Sequence, residues 1–300
     1  MIHYTALGYH LAKRRWKDPD IDVDLRGKSM MVTGANSGIG LALTHALASR
    51  GAHVIMVCRS LERAETAAAD IRTRLPDASL QIERCDLSDL RDVAALCERL
   101  AGVRLDALVN NAGVMLDSRQ TSAQGYELAV ATNVLSGHLL THRLSGQLVT
   151  GGRVLHVTSG GMYSQRHKLS VMCDPPNPYD GVVQYAQTKR AQVILNRQWA
   201  DQLAPTVTSN AMHPGWAATA GVERSLPRFN RLLGGALRTP EMGADTLLWL
   251  AASHEVATET GQLWFDRKAR SCHVIPTTRE TSEEAAALWA WCDEATADFR

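Results

Sequence analysis

The chain has 300 residues, 45% of them hydrophobic and 21% charged, with a formal net charge of +1. That length buries a core without disulfides or structural metal, and the near-zero charge provides no overall field for nucleic acid or acidic membrane. Cys58, Cys85, Cys97, Cys173, Cys272 and Cys292 are scattered with no CxxC pair and no Cys/His cluster at ligand spacing. This argues against a disulfide framework or a metal site and for a reducing, cytoplasmic setting.

The first residues run apolar and then basic, ending in Lys13-Arg14-Arg15-Trp16-Lys17. That is the reverse of a signal peptide. A helix packed on its own domain or on a partner subunit is expected here. The alternative is an interfacial helix with Tyr4, Leu7, Leu11 and Trp16 toward lipid. No segment is long and apolar enough to predict a membrane span.

From Lys28 onward, short apolar runs alternate with helical stretches. Strands are predicted at 29–32, 53–58, 80–85, 107–110, 153–158, 208–212 and 262–266. Helices are predicted at 39–49, 61–75, 89–100, 125–148, 185–203 and 241–253. The proline-bearing stretch 160–184 reads as irregular, and 216–239 is broken by Gly and Pro. Thr281 and Glu284 stand at capping-box spacing ahead of a last helix. The pattern implies βαβ units: an α/β, Rossmann-type, doubly wound parallel sheet of about seven strands in one domain. Helical extensions are expected at both ends, with boundaries at 1–24, 25–275 and 276–300.

The first strand runs into Thr33-Gly34-Ala35-Asn36-Ser37-Gly38-Ile39-Gly40. Glycines there let the backbone approach a pyrophosphate, and the N-terminus of the next helix faces it. The position on the first strand of a βαβ unit is the context that this motif requires. The second strand ends in Cys58-Arg59-Ser60, where an NAD site usually carries an acid. Arg59 can pair with a 2′-phosphate, so NADP(H) is expected in preference to NAD(H). Asp86-Leu87 after strand three and Asn111-Ala112-Gly113 after strand four fall at the same strand ends.

Tyr185 and Lys189 lie four apart on a predicted helix and so share a face. An ammonium beside a phenol is expected to lower its pKa and suit it to acid–base work. Strand five ends at Ser159, and Asn133 sits inside a helix, where propensity disfavours it.

Together these residues resemble the short-chain dehydrogenases/reductases over about 25 to 266, in the family's order. The matching pieces are Thr33–Gly40, Asp86, Asn110–Gly113, Asn133, Ser159, Tyr185, Lys189, Pro214-Gly215 and Thr219. The resemblance is closest to the retinol-dehydrogenase-like branch and its member-twelve-like group. It rests on Thr158-Ser159-Gly160-Gly161-Met162, Tyr185 to Arg190, His213 to Ala217 and Gly243 to Trp249. It implies an oxidoreductase that interconverts a carbonyl and an alcohol. Tyr185 would be the general acid/base, Ser159 would polarise the substrate oxygen, and Lys189 would tune Tyr185 and bind the nicotinamide ribose. Asn133 would hold a water in a proton relay. The cofactor residues implied are Gly34, Asn36, Ser37, Gly38, Ile39, Gly40, Arg59, Asp86, Leu87, Asn111, Ala112, Gly113, Tyr185, Lys189, Pro214, Gly215 and Thr219. The interval from Ser159 to Tyr185 exceeds that of compact members.

Apolar residues after Trp216, namely Leu226, Phe229, Leu232 and Leu233, suggest a lipophilic small-molecule carbonyl or alcohol as substrate. A surface helix with Arg224, Arg228 and Arg231 in water is the plainer alternative. Family analogy points to a homo-oligomer. A non-catalytic nucleotide-binding sensor or scaffold is the rival of another class, and an intact catalytic set disfavours it. An epimerase-like enzyme would carry a differently spaced Gly-rich turn.

Overall fold

In the computed structural model, residues 2–16, 20–218 and 234–300 are described. The seven expected strands form: β1 (Ser29–Thr33), β2 (His53–Cys58), β3 (Leu80–Arg84), β4 (Leu105–Asn110), β5 (Leu148–Val157), β6 (Val207–Met212) and β7 (Leu263–Phe265). An eighth, β8 (Lys268–Arg270), was not expected. The order is β3-β2-β1-β4-β5-β6-β7-β8; β1 to β7 pair in parallel, and β8 returns antiparallel on β7. The turn into β8 is Asp266-Arg267, both in the left-handed region at φ 53° and 52°. Such a hairpin normally takes Asn or Gly. Here both side chains are clamped, Asp266 to Arg238 and Arg267 to Asp245.

Helices α1 (Ala6–Lys13), α2 (Gly38–Ala48), α3 (Leu61–Arg74) and α4 (Leu90–Arg99) precede a broken one. That one comprises α5 (Leu128–Val130), a π-helical turn (Ala131–Leu135) and α6 (Ser136–Leu144). Then come α7 (Leu169–Cys173), α8 (Gly181–Leu203), α9 (Pro240–Ala252) and α10 (Ser282–Thr296). Strand alternation splits the core into two layers. Met30, Val32, Val54 and Met56 face Leu43 and Leu47 of α2 and Leu247 and Leu248 of α9. Met31, Ile55, Leu108 and Val154 face α4, α6, α8 and α10, through Leu96, Leu139, Ile194 and Leu288. All six cysteines are free thiols, four of them buried. No helix among the described residues is long and apolar enough to cross a membrane.

The N-terminal segment packs on the body. The Tyr4 ring meets His213, Trp216 and Phe265 with centroids 5.3 to 5.5 Å apart. Trp16 stacks under Arg267 and against Tyr9. Of the four residues that an interfacial helix would turn to lipid, only Leu7 and Leu11 are exposed. The docking centres on Arg238, which is 1% exposed. Its guanidinium grips Asp266 at 2.6 and 2.9 Å and donates to the carbonyls of His3 and Thr5 at 2.6 and 3.3 Å. It also lies over the Phe265 ring. Gly215 makes the room: a Cβ there would stand 2.6 Å from the guanidinium.

Removing one partner of a buried ion pair costs about 3–5 kcal/mol, because the other charge is left alone. Arg238→Met should lower the urea midpoint accordingly, and Asp266→Leu in the same chain should recover part of the loss. A single variant of unchanged midpoint would contradict this role.

Burial also depresses the four buried histidines, His138, His156 and His167 to about 4 and His213 to about 3. A folded pKa below the unfolded 6.5 means that the unfolded chain binds more protons in acid. Stability is therefore full above about pH 6.5 and is lost as pH falls from there toward 4, by about 1.4 kcal/mol per group at pH 5.5. Thermal melts at pH 7.5 and 5.5 should show a clearly lower midpoint in acid. A flat profile would refute the assignment.

Candidate active site

The winding direction of the sheet reverses between β1 and β4, which opens a crevice at their C-terminal ends. Thr33 pins the two edges together. Its hydroxyl accepts from the amides of Asn111 and Ala112 at 3.0 Å each and donates to the Val109 carbonyl. The Asn111 side-chain amide donates to the Thr33 carbonyl at 2.7 Å. Asn111 is thus committed to joining the strands, and Ala112 and Gly113 are carried over the crevice.

The turn from β1 to α2 is cradle-shaped. Gly34 turns at φ 66°. A Cβ on Gly40 would run into the Gly34 carbonyl oxygen, so only glycine lets α2 seat on this turn. Ser37 is exposed at the N-cap and makes no side-chain cap bond. Gly38 and half-buried Asn36 flank it, and Ile39 is buried beneath. The positive end of α2 therefore opens on the crevice, as a pyrophosphate requires. The buried Cys58 thiol accepts from the Ala35 and Asn36 amides, tying β2 to the same turn. Arg59, the next residue, is exposed and pairs with no acid among the described residues. Asp86 folds back on Ser88, whose amide and hydroxyl both reach one carboxylate oxygen, and Leu87 is buried beside it.

The reacting end lies on α8. Asp180 caps this helix on the amides of Val182 and Val183. Tyr185 is half-buried and hydrogen-bonded to Ser159 from the end of β5. The Lys189 ammonium is 5.4 Å from the Tyr185 ring centroid and donates to the Val157 carbonyl at 2.9 Å. The Thr158 hydroxyl donates to the Lys189 carbonyl at 2.7 Å, which fastens α8 to the strand end. Gly113 comes so close that a Cβ would sit 3.1 Å from the ammonium.

Asn133 belongs to the π-helical turn. Its side-chain oxygen accepts from the Val114 amide at 2.8 Å. Its nitrogen donates to the Val114 carbonyl at 2.9 Å and to the Thr188 hydroxyl at 3.0 Å. The side chain holds the loop after β4 against α8. Its backbone carbonyl accepts from the side chain of Gln192 at 2.7 Å. Gln192, Thr158 and Thr188 were not read as site residues. The available signal was spacing, since 185, 188, 189 and 192 fall on one face of a helix.

One expectation is reversed. Burial pushes Tyr185 up to about 12, with the Ser159 hydrogen bond opposing it, whereas a lowered value was expected from Lys189. Lys189 itself is pushed down to about 7 by burial. Desolvation outweighs the expected ammonium effect because both groups sit among elements distant in sequence.

Pro214 and Gly215 follow β6 at the same edge, with Gly215 at φ 76°. Thr219 and the apolar residues from Leu226 to Leu233 lie outside the described residues. One turn before Tyr185, a crevice of about 340 Å³ is lined by Met115, Leu116, Pro178, Tyr179 and Val182, with Asp117 and Asp180 beside them.

Residues 28–228 match the family model described as short chain dehydrogenase. The chain belongs to the short-chain dehydrogenase family. The human protein "Dehydrogenase/reductase SDR family member 12" is 37% identical over 93% of this chain and 89% of its own length. Human "Retinol dehydrogenase 14" is 32% identical, over 92% of this chain and 87% of its own length. This short-chain dehydrogenase therefore falls in a retinol-dehydrogenase-like group and is an oxidoreductase. Among solved structures, a 3-ketoacyl-(acyl-carrier-protein) reductase from Brucella melitensis complexed with NADH is 27% identical. It superposes with a TM-score of 0.61 and covers 80% of this chain and 96% of its own.

Gly40→Ala should displace α2 from the turn, at about 1–3 kcal/mol. Its thermal midpoint should fall, and titration with a nicotinamide dinucleotide should show weakened binding. Wild-type binding in this variant would contradict the cradle.

Proposed function

We propose that this short-chain dehydrogenase uses NADP(H) to interconvert a lipophilic carbonyl compound and its alcohol. The observation that carries the reading is the Ser159–Tyr185 hydrogen bond with the Lys189 ammonium one helical turn away, beside a turn that only glycine permits. The bound dinucleotide supplies or takes the hydride. The protein's part is to orient the substrate oxygen and to move one proton.

Ser159 and Tyr185 converge on one point, where a carbonyl oxygen accepts two hydrogen bonds and is polarised. Near neutral pH the buried phenol stays protonated, which suits it to donate a proton as an alkoxide develops. In the oxidative direction it must first become phenolate, a role for Lys189 as the neighbouring cation. Gly34, Asn36, Ser37, Gly38, Ile39 and Gly40 would hold the pyrophosphate. Ala112 and Gly113, with Asn111 behind them, would line the ribose side, with Asp86 and Leu87 toward the adenine. Pro214 and Gly215 would border the nicotinamide together with Lys189. Arg59 supports NADP(H) over NAD(H), because its exposed guanidinium pairs with no acid among the described residues and the residue at that position is not a carboxylate that could accept a 2′-hydroxyl. Met115, Leu116, Pro178 and Val182 support a lipophilic substrate.

The test is one titration and one variant series. NADPH should quench or enhance protein fluorescence at lower concentration than NADH, and Arg59→Ala should remove the difference. Tyr185→Phe should cut turnover of lipophilic aldehydes and ketones by at least about a hundredfold while NADPH still binds. Equal affinity for both dinucleotides would sink the Arg59 reading, and full turnover by Tyr185→Phe would sink the acid–base assignment.

A further inference from the structure

Tyr4 carries the N-terminal segment to the active-site edge of the sheet. Its ring touches His213, directly after β6, and also Trp216 and Phe265. His213 is 1% exposed. It stacks on Phe265 at 4.2 Å and 14°, and it meets the Tyr163 ring edge-on at 6.0 Å. Tyr163 belongs to the short turn Gly160–Ser164, and Ser159 is the N-cap of that turn. The Ser159 hydroxyl accepts from the Gly161 amide at 3.2 Å and is hydrogen-bonded to Tyr185. A chain of rings therefore runs from Tyr4 through His213 and Tyr163 to the turn that aims Ser159.

The backbone provides a second route. The Trp216 amide donates to the Tyr4 carbonyl at 2.8 Å. Arg238, whose side chain holds the carbonyls of His3 and Thr5, pairs with the same segment through its main chain. Its amide donates to the Trp216 carbonyl and its carbonyl accepts from the Ala218 amide, both at 2.8 Å. His213 Nδ1 accepts from the Gly215 amide at 3.4 Å, which folds the Pro214-Gly215 turn onto the ring. Ala217 is buried against Gly243 of α9, where a Cβ would stand 3.2 Å from both Ala217 and Ile39 of the glycine-rich turn. Residues 214–218 are thus held between the opening residues of the chain and the dinucleotide cradle. Among the described residues the Tyr4 hydroxyl makes no hydrogen bond, so the ring and the carbonyl carry the contact.

We propose that Tyr4 is a positioning residue of the active site, acting through His213 and Trp216 on the turn that aims Ser159 and on the segment that borders the nicotinamide. The inference deepens the reductase reading and rests on it. Hydride transfer needs the nicotinamide and the carbonyl carbon in close register, and a displacement of about 1 Å caused by a remote change can cost about a hundredfold in rate. Ser159, Tyr185 and Lys189 come from β5 and α8, whereas Pro214 and Gly215 follow β6. The bond from Thr158 to the Lys189 carbonyl fastens β5 to α8 and leaves the segment after β6 out. The rings of Tyr4, His213 and Tyr163 span that gap. The opening residues therefore act on turnover without touching substrate or dinucleotide.

Three variants of the full chain separate positioning from stability. Tyr4→Phe keeps the ring and should match the wild type in every assay. Tyr4→Ala should lower kcat about tenfold, with the KM for a lipophilic aldehyde and the NADPH Kd changed by less than about threefold. Trp16→Ala, in the same segment but under Arg267, should lower the urea midpoint while keeping wild-type kcat. Wild-type kcat in folded Tyr4→Ala overturns the proposal. An equal loss of kcat in Trp16→Ala also overturns it, since the effect is then one of stability alone. The fluorescence of bound NADPH reports the surroundings of the nicotinamide and needs no turnover. Its intensity should change in Tyr4→Ala and not in Tyr4→Phe, and an unchanged intensity in both again overturns the proposal. Tyr4→Leu serves in both assays if Tyr4→Ala does not fold. Absence of wild-type carbonyl turnover instead counts against the reductase reading and leaves the NADPH signal to decide the role of Tyr4.

Discussion

Everything chemical in this molecule depends on the reversal of winding between β1 and β4. Parallel strands must be joined by crossovers, and where these change direction no helix covers the strand ends. The sheet then has one edge at which backbone can face a ligand instead of a neighbouring element. The Thr33 hydroxyl keeps that opening from becoming a loose gap, because it binds the amides of Asn111 and Ala112. The Gly-rich turn and the loop that carries Gly113 are thus held as two sides of one crevice.

The second theme is the amount of polarity buried to hold the reacting groups still. Helix α8 carries Gln184, Gln187, Thr188, Lys189, Arg190, Gln192 and Asn196 into the interior. Most of these are spent on backbone groups of other elements. Gln184 reaches the Met172 carbonyl and Gln187 the Arg166 carbonyl, so both grip the long segment between β5 and α8. Arg190 grips the carbonyls of Cys272 and Thr278 beyond β8. Tyr185 and Lys189 therefore ride on a helix fastened on several sides, and their separation does not rely on packing alone. The same enclosure raises one proton affinity and lowers the other, so burial and orientation come from one set of contacts.

What could be read beforehand follows the range of the interactions involved. Strands β1 to β7, the capping box of Thr281 and Glu284, and the positions of Ser159, Tyr185 and Lys189 were legible, because each is announced by local pattern or spacing. The start of α8 at Gly181 was missed: Pro175, Pro176 and Pro178 obscured Asp180 as an N-cap. Strand β8 has no apolar alternation, since Lys268, Ala269 and Arg270 are all exposed. The π-helical turn at Asn133 and the reach of Gln192 depend on how two helices meet, which no local window contains. The direction of the Tyr185 shift was misjudged for the same reason, because desolvation is a property of the assembled fold.

Arg238 joins parts of the chain that are usually free to drift apart. It fills the room left by Gly215, neutralises Asp266 and receives the carbonyls of His3 and Thr5. Chain ends ordinarily tolerate trimming and replacement. Here the opening residues are bound into the interior by a buried cation that donates to their backbone carbonyls. Positions 215, 238 and 266 thus make a single mutational unit, in which one change alone is penalised and compensation must come from the rest. A fusion partner placed ahead of Ile2 would be joined to a clamped strap, not to a loose tail.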